Sequence, residues 1–134
     1  MTIIKFDEVT LKKEAIKIGE KSKLKGVGRT VTFIPAGNSS NNIKMGVSKV
    51  LLQDLEEAKN THFSIEYDAE NEMLYLVPNN KEGVCFVTEN GTYNRQRNAT
   101  YVFGALTQVA EVEIRKTIVF EREGRKFVAS VSKR

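Results

Sequence analysis

Thr61–Pro78 reads THFSIEYDAENEMLYLVP, and its alternation sets the architecture. Ile65 and Tyr67 alternate with Ser64 and Glu66, the acidic run Ala69-Glu70-Asn71-Glu72 turns the chain, and Leu74 and Leu76 resume the alternation. A period of two on both sides of a polar turn is the pattern of a β-hairpin with one buried face. The pattern returns at Thr117–Val131, TIVFEREGRKFVASV. There Ile118 and Phe120 stand where Ile65 and Tyr67 stood, Glu123-Gly124 makes the turn, and Phe127 to Val131 returns.

Working outward, the stretch before the first hairpin predicts a strand over Thr30–Ile34, a Gly/Asn/Ser loop over 35–42 and a strand over Ile43–Val47. Ser48 then caps a helix from Lys49 to about Ala58. In that helix Val50 or Leu51, Leu55 and Ala58 face the core, while Gln53, Asp54, Glu56 and Glu57 face water. Asn79-Asn80-Lys81-Glu82-Gly83 marks a boundary, after which the order repeats. The second half predicts a strand over 84–87, a loop over 88–98, a strand over 99–103 and a helix from about Gly104 to Val112. An offset of 53 residues separates Phe33 from Phe86, Ile65 from Ile118 and Leu74 from Phe127. The expected fold is therefore α+β and mostly antiparallel, an internal duplication of a ββαββ unit with pseudo-repeats at about 30–78 and 83–131. An N-terminal strand over 2–9 and a short helix over 11–18 precede it.

A chain of 134 residues suits one domain, 1–134, with a substantial core. No apolar run approaches the roughly 18 residues that would span a bilayer. The opening residues Met1 to Asp7 carry no basic, apolar leader, so the expected location is cytoplasmic. The lysine- and asparagine-rich composition fits a bacteriophage product.

Val47 to Leu55, followed by Phe63 to Asp68 and Met73 to Leu76, resembles the strand, short helix and hairpin of AbrB-like DNA-binding domains. The basic Gly-Arg strand that opens that motif is missing, because Gly28-Arg29 lies upstream of the Asn-rich loop. The doubled unit is also similar in topology, not in motif, to one domain of a DNA sliding clamp. Neither likeness assigns a family.

Chemistry-bearing residues are sparse. Cys85, the single cysteine, reads as a small strand hydrophobe. As a nucleophile it would need a base, and the single histidine, His62, precedes a strand in the other half. No paired ligand spacing predicts a metal site, and Glu70, Glu72, Glu111 and Glu113 read as solvated carboxylates. The sequence thus predicts a non-enzymatic protein, with no catalytic residue, cofactor or metal.

Charge is more informative. Residues 1–29 hold eight Lys/Arg against four Asp/Glu, residues 30–90 four against nine, and residues 91–134 nine against four. The loop over 88–98 sets Tyr93, Arg95 and Arg97 among amide and hydroxyl side chains without hydrophobic partners. Arginine bridges phosphates and stacks on bases, and tyrosine offers a π-face. With Lys21, Lys23, Lys25 and Arg29 before it and Arg122 and Arg125 after it, the loop predicts nucleic-acid binding, single-stranded DNA in preference. The alternative is a protein-interaction module or inhibitor that presents Asp54, Glu56, Glu57, Asp68, Glu70 and Glu72 to a basic partner. A homodimer is compatible with either.

Overall fold

The computed structural model describes residues 28–37 and 41–134. The strand and helix expected over 2–18, together with Lys21, Lys23 and Lys25, lie outside the described residues. Among the described residues, nine strands and two helices follow one another: β1 (Thr30–Pro35), β2 (Ile43–Val47), α1 (Lys49–Glu57), β3 (His62–Asp68), β4 (Met73–Asn79), β5 (Val84–Cys85), β6 (Gln96–Asn98), α2 (Thr100–Val109), β7 (Thr117–Val119), β8 (Glu121–Glu123) and β9 (Lys126–Ser130). The fold is α+β with antiparallel pairing throughout the described residues. No helix among the described residues is long and apolar enough to cross a membrane.

The strands form two sheets, ordered β6-β2-β1-β7 and β5-β3-β4-β9-β8. Both sheets mix strands from before and after the Asn79–Gly83 boundary. The central hairpin is the longest pairing, running from His62 opposite Asn79 to Asp68 opposite Met73, as its alternation predicts. The sheets meet at two seams. At one, the chain passes from β7 to β8 through buried Phe120, whose N–H donates to the Arg29 carbonyl at 2.7 Å. At the other, Asn94 N donates to Phe86 O at 2.9 Å and Val87 bridges Tyr93, joining the continuation of β5 to β6.

One cluster of buried side chains fills the interior, drawing Phe33, Met45, Leu51, Leu55, Phe63, Leu74 and Leu76 from the first half and Phe86, Leu106, Phe120 and Phe127 from the second. Phe63 is at its centre, edge-on to Phe86 at 5.7 Å and to Phe127 at 6.0 Å between ring centroids, a favoured aromatic geometry. The β3–β5 approach depends on Gly83, with φ of 96°, where a Cβ would stand 2.1 Å from the Phe63 carbonyl oxygen.

α1 forms where its sequence predicts. Ser48 Oγ accepts from Leu51 N at 3.4 Å, and Leu51 and Leu55 are fully buried. The helix ends in a Schellman arrangement: Asn60 N donates to Leu55 O at 3.0 Å and Lys59 N to Glu56 O at 2.9 Å, with Lys59 in the left-handed region at φ 58°. Because the chain turns away there, Ala58 is exposed and not a core residue.

Several sequence expectations are corrected. The strand expected over 99–103 is instead the start of α2, and the strand pairing falls earlier, at β6. Tyr101-Val102-Phe103 has strong strand propensity, yet Ala99, Leu106 and Ala110 are buried and Phe103 packs against them, at spacings of four, three and four. Packing on a helical period overrides local preference. The helix expected to reach Val112 ends at Val109. β5 stops at Cys85, and the second hairpin turns at Gly124-Arg125, one residue later than expected. Its first strand is broken at Phe120, unlike unbroken β3. The duplication is accordingly not established: β5 has two residues where β1 has six, and β6 has three where β2 has five.

Candidate nucleic-acid interface

Arg29 immediately precedes β1, and its backbone is held by the Phe120 N–H. Its guanidinium reaches across to α1, where Nε donates to Asp54 Oδ2 at 2.6 Å and Nη2 to Asp54 Oδ1 at 3.3 Å. This two-pronged geometry fixes the guanidinium plane. Arg122, on β8, approaches the same carboxylate, with Nη1 3.6 Å from Oδ1. Both guanidinium carbons lie 5.9 Å from the Phe127 ring centroid, within cation–π range.

Asp54 was expected to face water, but its side chain is only 9% exposed. It sits between two cations, and that pairing explains how a carboxylate is retained at so enclosed a position. Sequence alone gave no signal for it, since its partners lie 25 and 68 residues away. Beside this cluster opens a cleft of about 490 Å³, lined by Asp54, Ala58, Asn60, Pro78, Arg122, Arg125 and Phe127. Arg125 stands in the tight β8–β9 turn after Gly124, whose φ of 67° suits the Gly-first class of two-residue hairpin.

The other flank of α1 carries a second, shallower groove of about 680 Å³, where Arg95 and Tyr93 meet Lys49, Leu52, Gln53 and Glu56. The loop that supplies them is not open. Val87 bridges Tyr93, Thr88 N donates to Thr92 O at 2.8 Å, and the Tyr93 hydroxyl donates to Asn60 O at 2.7 Å. Tyr93 is half-buried against the core, contrary to the expectation of a side chain without hydrophobic partners. Arg95 is exposed and its Nε donates to Val47 O at 3.1 Å. Arg97 stands opposite buried Met45 in the β2–β6 ladder, half-buried, and lines neither groove.

The structure therefore brings Arg29, Arg122 and Arg125 together on one side of α1 and sets Arg95 on the other. The acidic residues of the alternative reading are not gathered in this way. Asp54 is engaged by arginines, Glu56 and Glu57 lie near the start of β3, and Asp68, Glu70 and Glu72 lie at its far end. Seven strand residues separate those ends, about 20 Å at the usual rise.

His62 and Cys85 are direct cross-strand partners in β3 and β5, although sequence placed them in separate halves. Each has another hydrogen-bond partner: the Cys85 thiol donates to Val87 O at 3.4 Å, and His62 Nδ1 lies 2.6 Å from Thr61 Oγ1. Among the described residues no group of three or more His, Cys, Asp or Glu side chains is placed to hold a metal ion. Comparison with protein-family models, with curated proteins and with solved structures finds no match to this chain.

Proposed function

We propose that this chain is a nucleic-acid-binding protein that prefers single-stranded DNA, using the arginines that flank α1. The observation that supports this reading is the gathering of Arg29, Arg122 and Arg125, from positions up to 96 residues apart, around Asp54 and the cleft that Asp54 lines with Arg122 and Arg125. Arg29, fixed by a buried carboxylate and an aromatic face, anchors the cluster, and Arg122 and Arg125 add exposed guanidinium donors suited to phosphate beside it. The same face argues against duplex reading. A helix that enters a major groove presents base-reading side chains to it, whereas the exposed residues of α1 include Glu56 and Glu57, which phosphates on either side of a groove would repel.

The test is fluorescence anisotropy with labelled single-stranded and double-stranded oligonucleotides of equal length at several salt concentrations. Combining Arg95→Ala with Arg122→Ala should weaken single-strand binding and flatten the dependence of log K on log salt by about 1.4, at ~0.7 per lost phosphate contact. Tighter binding to duplex, or an unchanged slope in the double variant, would overturn the reading. In that event, reversing the charges of Glu70 and Glu72 in a pull-down tests the acidic hairpin tip against a basic protein partner.

A further inference from the structure

We propose that the cleft at the end of α1 is a subsite for a phosphomonoester, namely the terminal phosphate of a single-stranded oligonucleotide, held by Arg122 and Arg125. This rests on the nucleic-acid reading above and makes it more specific.

The first argument is donor accounting. Arg29 has Nε and Nη2 engaged by Asp54, so it acts as an anchor. Arg122 is held loosely, its Nη1 3.6 Å from Asp54 and its Nε 3.5 Å from Gly124 O, and its side chain is 55% exposed. Arg125 is exposed and has no hydrogen-bond or ion-pair partner among the described residues. Arg122 and Arg125 line the cleft and Arg29 does not, so the guanidinium donors that a ligand in the cleft meets are those of Arg122 and Arg125.

Charge gives the second argument. With the Asp54 carboxylate paired to Arg29 from outside the cleft lining, Arg122 and Arg125 bring two positive charges to the cleft. A terminal phosphate carries close to −2 near neutral pH, with a second pKa of about 6. An internal phosphodiester carries −1 and leaves one cation unmatched. Shape gives the third. Ala58 at the end of α1, Pro78 on β4 and Phe127 on β9 supply apolar walls, and Asn60 adds an amide. At about 490 Å³ the cleft falls in the size range of small-molecule sites. It accommodates one nucleotide unit, with the sugar and base against Pro78 and the phosphate at the arginines.

The experiment compares one single-stranded oligonucleotide in three forms, 5′-phosphate, 3′-phosphate and unphosphorylated, by anisotropy on the full chain. One phosphorylated form should bind about tenfold tighter than the unphosphorylated one, as two charge-assisted contacts allow. Which form gains identifies the end recognised. The preference should shrink between pH 7.5 and 5.5 as the phosphate takes up a proton, and Arg125→Ala, checked for native circular dichroism, should abolish it. Equal binding of all three forms would overturn the terminal-phosphate subsite while leaving the nucleic-acid reading intact. A preference that survives in Arg125→Ala would overturn its location in this cleft. No binding of any form at low salt would overturn both readings.

Discussion

Ser48 joins two parts of the chain through a single oxygen. Its Oγ accepts from Leu51 N at 3.4 Å, which caps α1, and from Thr30 N at 3.1 Å, which fixes the start of β1 beside Arg29. Both Ser48 and Thr30 are buried. Ser48→Ala therefore removes a cap worth about 1 kcal/mol and strands the Thr30 N–H at a further cost of about 1–2 kcal/mol. Urea denaturation should show a total loss of about 2–3 kcal/mol; a loss of only about 1 kcal/mol would show that the Thr30 N–H finds another acceptor. The cap was legible in the sequence, because a serine before an apolar helical pattern has a local meaning. Thr30 as its second donor was not, and neither was Asp54 as the anchor of two arginines. Such contacts depend on which distant strands become neighbours, and no local pattern encodes that.

Among the elements, the β3–β4 hairpin shows most directly how local chemistry sets a structure. Asp68 closes its turn, accepting from Asn71 Nδ2 at 2.7 Å, Glu70 N at 3.0 Å and Asn71 N at 3.2 Å. The Asn71 side-chain bond foremost, with the Asn71 and Glu70 amides, holds the Asp68 carboxyl below its ordinary value, against a smaller opposing effect of desolvation. Because the folded value is depressed, the stabilisation is fully present above the ordinary aspartate range and is lost as pH falls through the lowered folded value. Carboxyl NMR titration should find Asp68 below the ordinary aspartate range, and Asn71→Ala should move it back up. An ordinary value in the native protein would refute this account. The hairpin was read correctly because its alternation and its turn agree. α2 was misread at its start because Tyr101-Val102-Phe103 favours a strand, although the apolar spacing from Ala99 to Ala110 already carried the helical period. The second hairpin matched in pattern and differed in backbone, since buried Phe120 interrupts it between the two sheets.

For the whole molecule, the α+β class and the order of most elements followed from pattern, while the sheet arrangement did not. Nothing in the spacing of apolar residues specifies that β1 pairs with β7, β2 with β6, β3 with β5 and β4 with β9. These long-range pairings also decide which predicted cations meet: β8 carries Arg122 to Asp54 because β9 lies against β4, whereas Arg97 stays with β6. The interleaving has a consequence for a divided chain. A cut within the exposed turn Glu89-Asn90-Gly91 leaves β1–β5 on one piece and β6–β9 on the other, so each piece holds strands whose neighbours are on its counterpart. Neither piece should refold alone, and mixing the two should restore cooperative unfolding, as in a split-protein complementation pair. If the residue 1–89 piece gives a sharp thermal transition by itself, the halves are autonomous units and the mutual dependence proposed here is wrong.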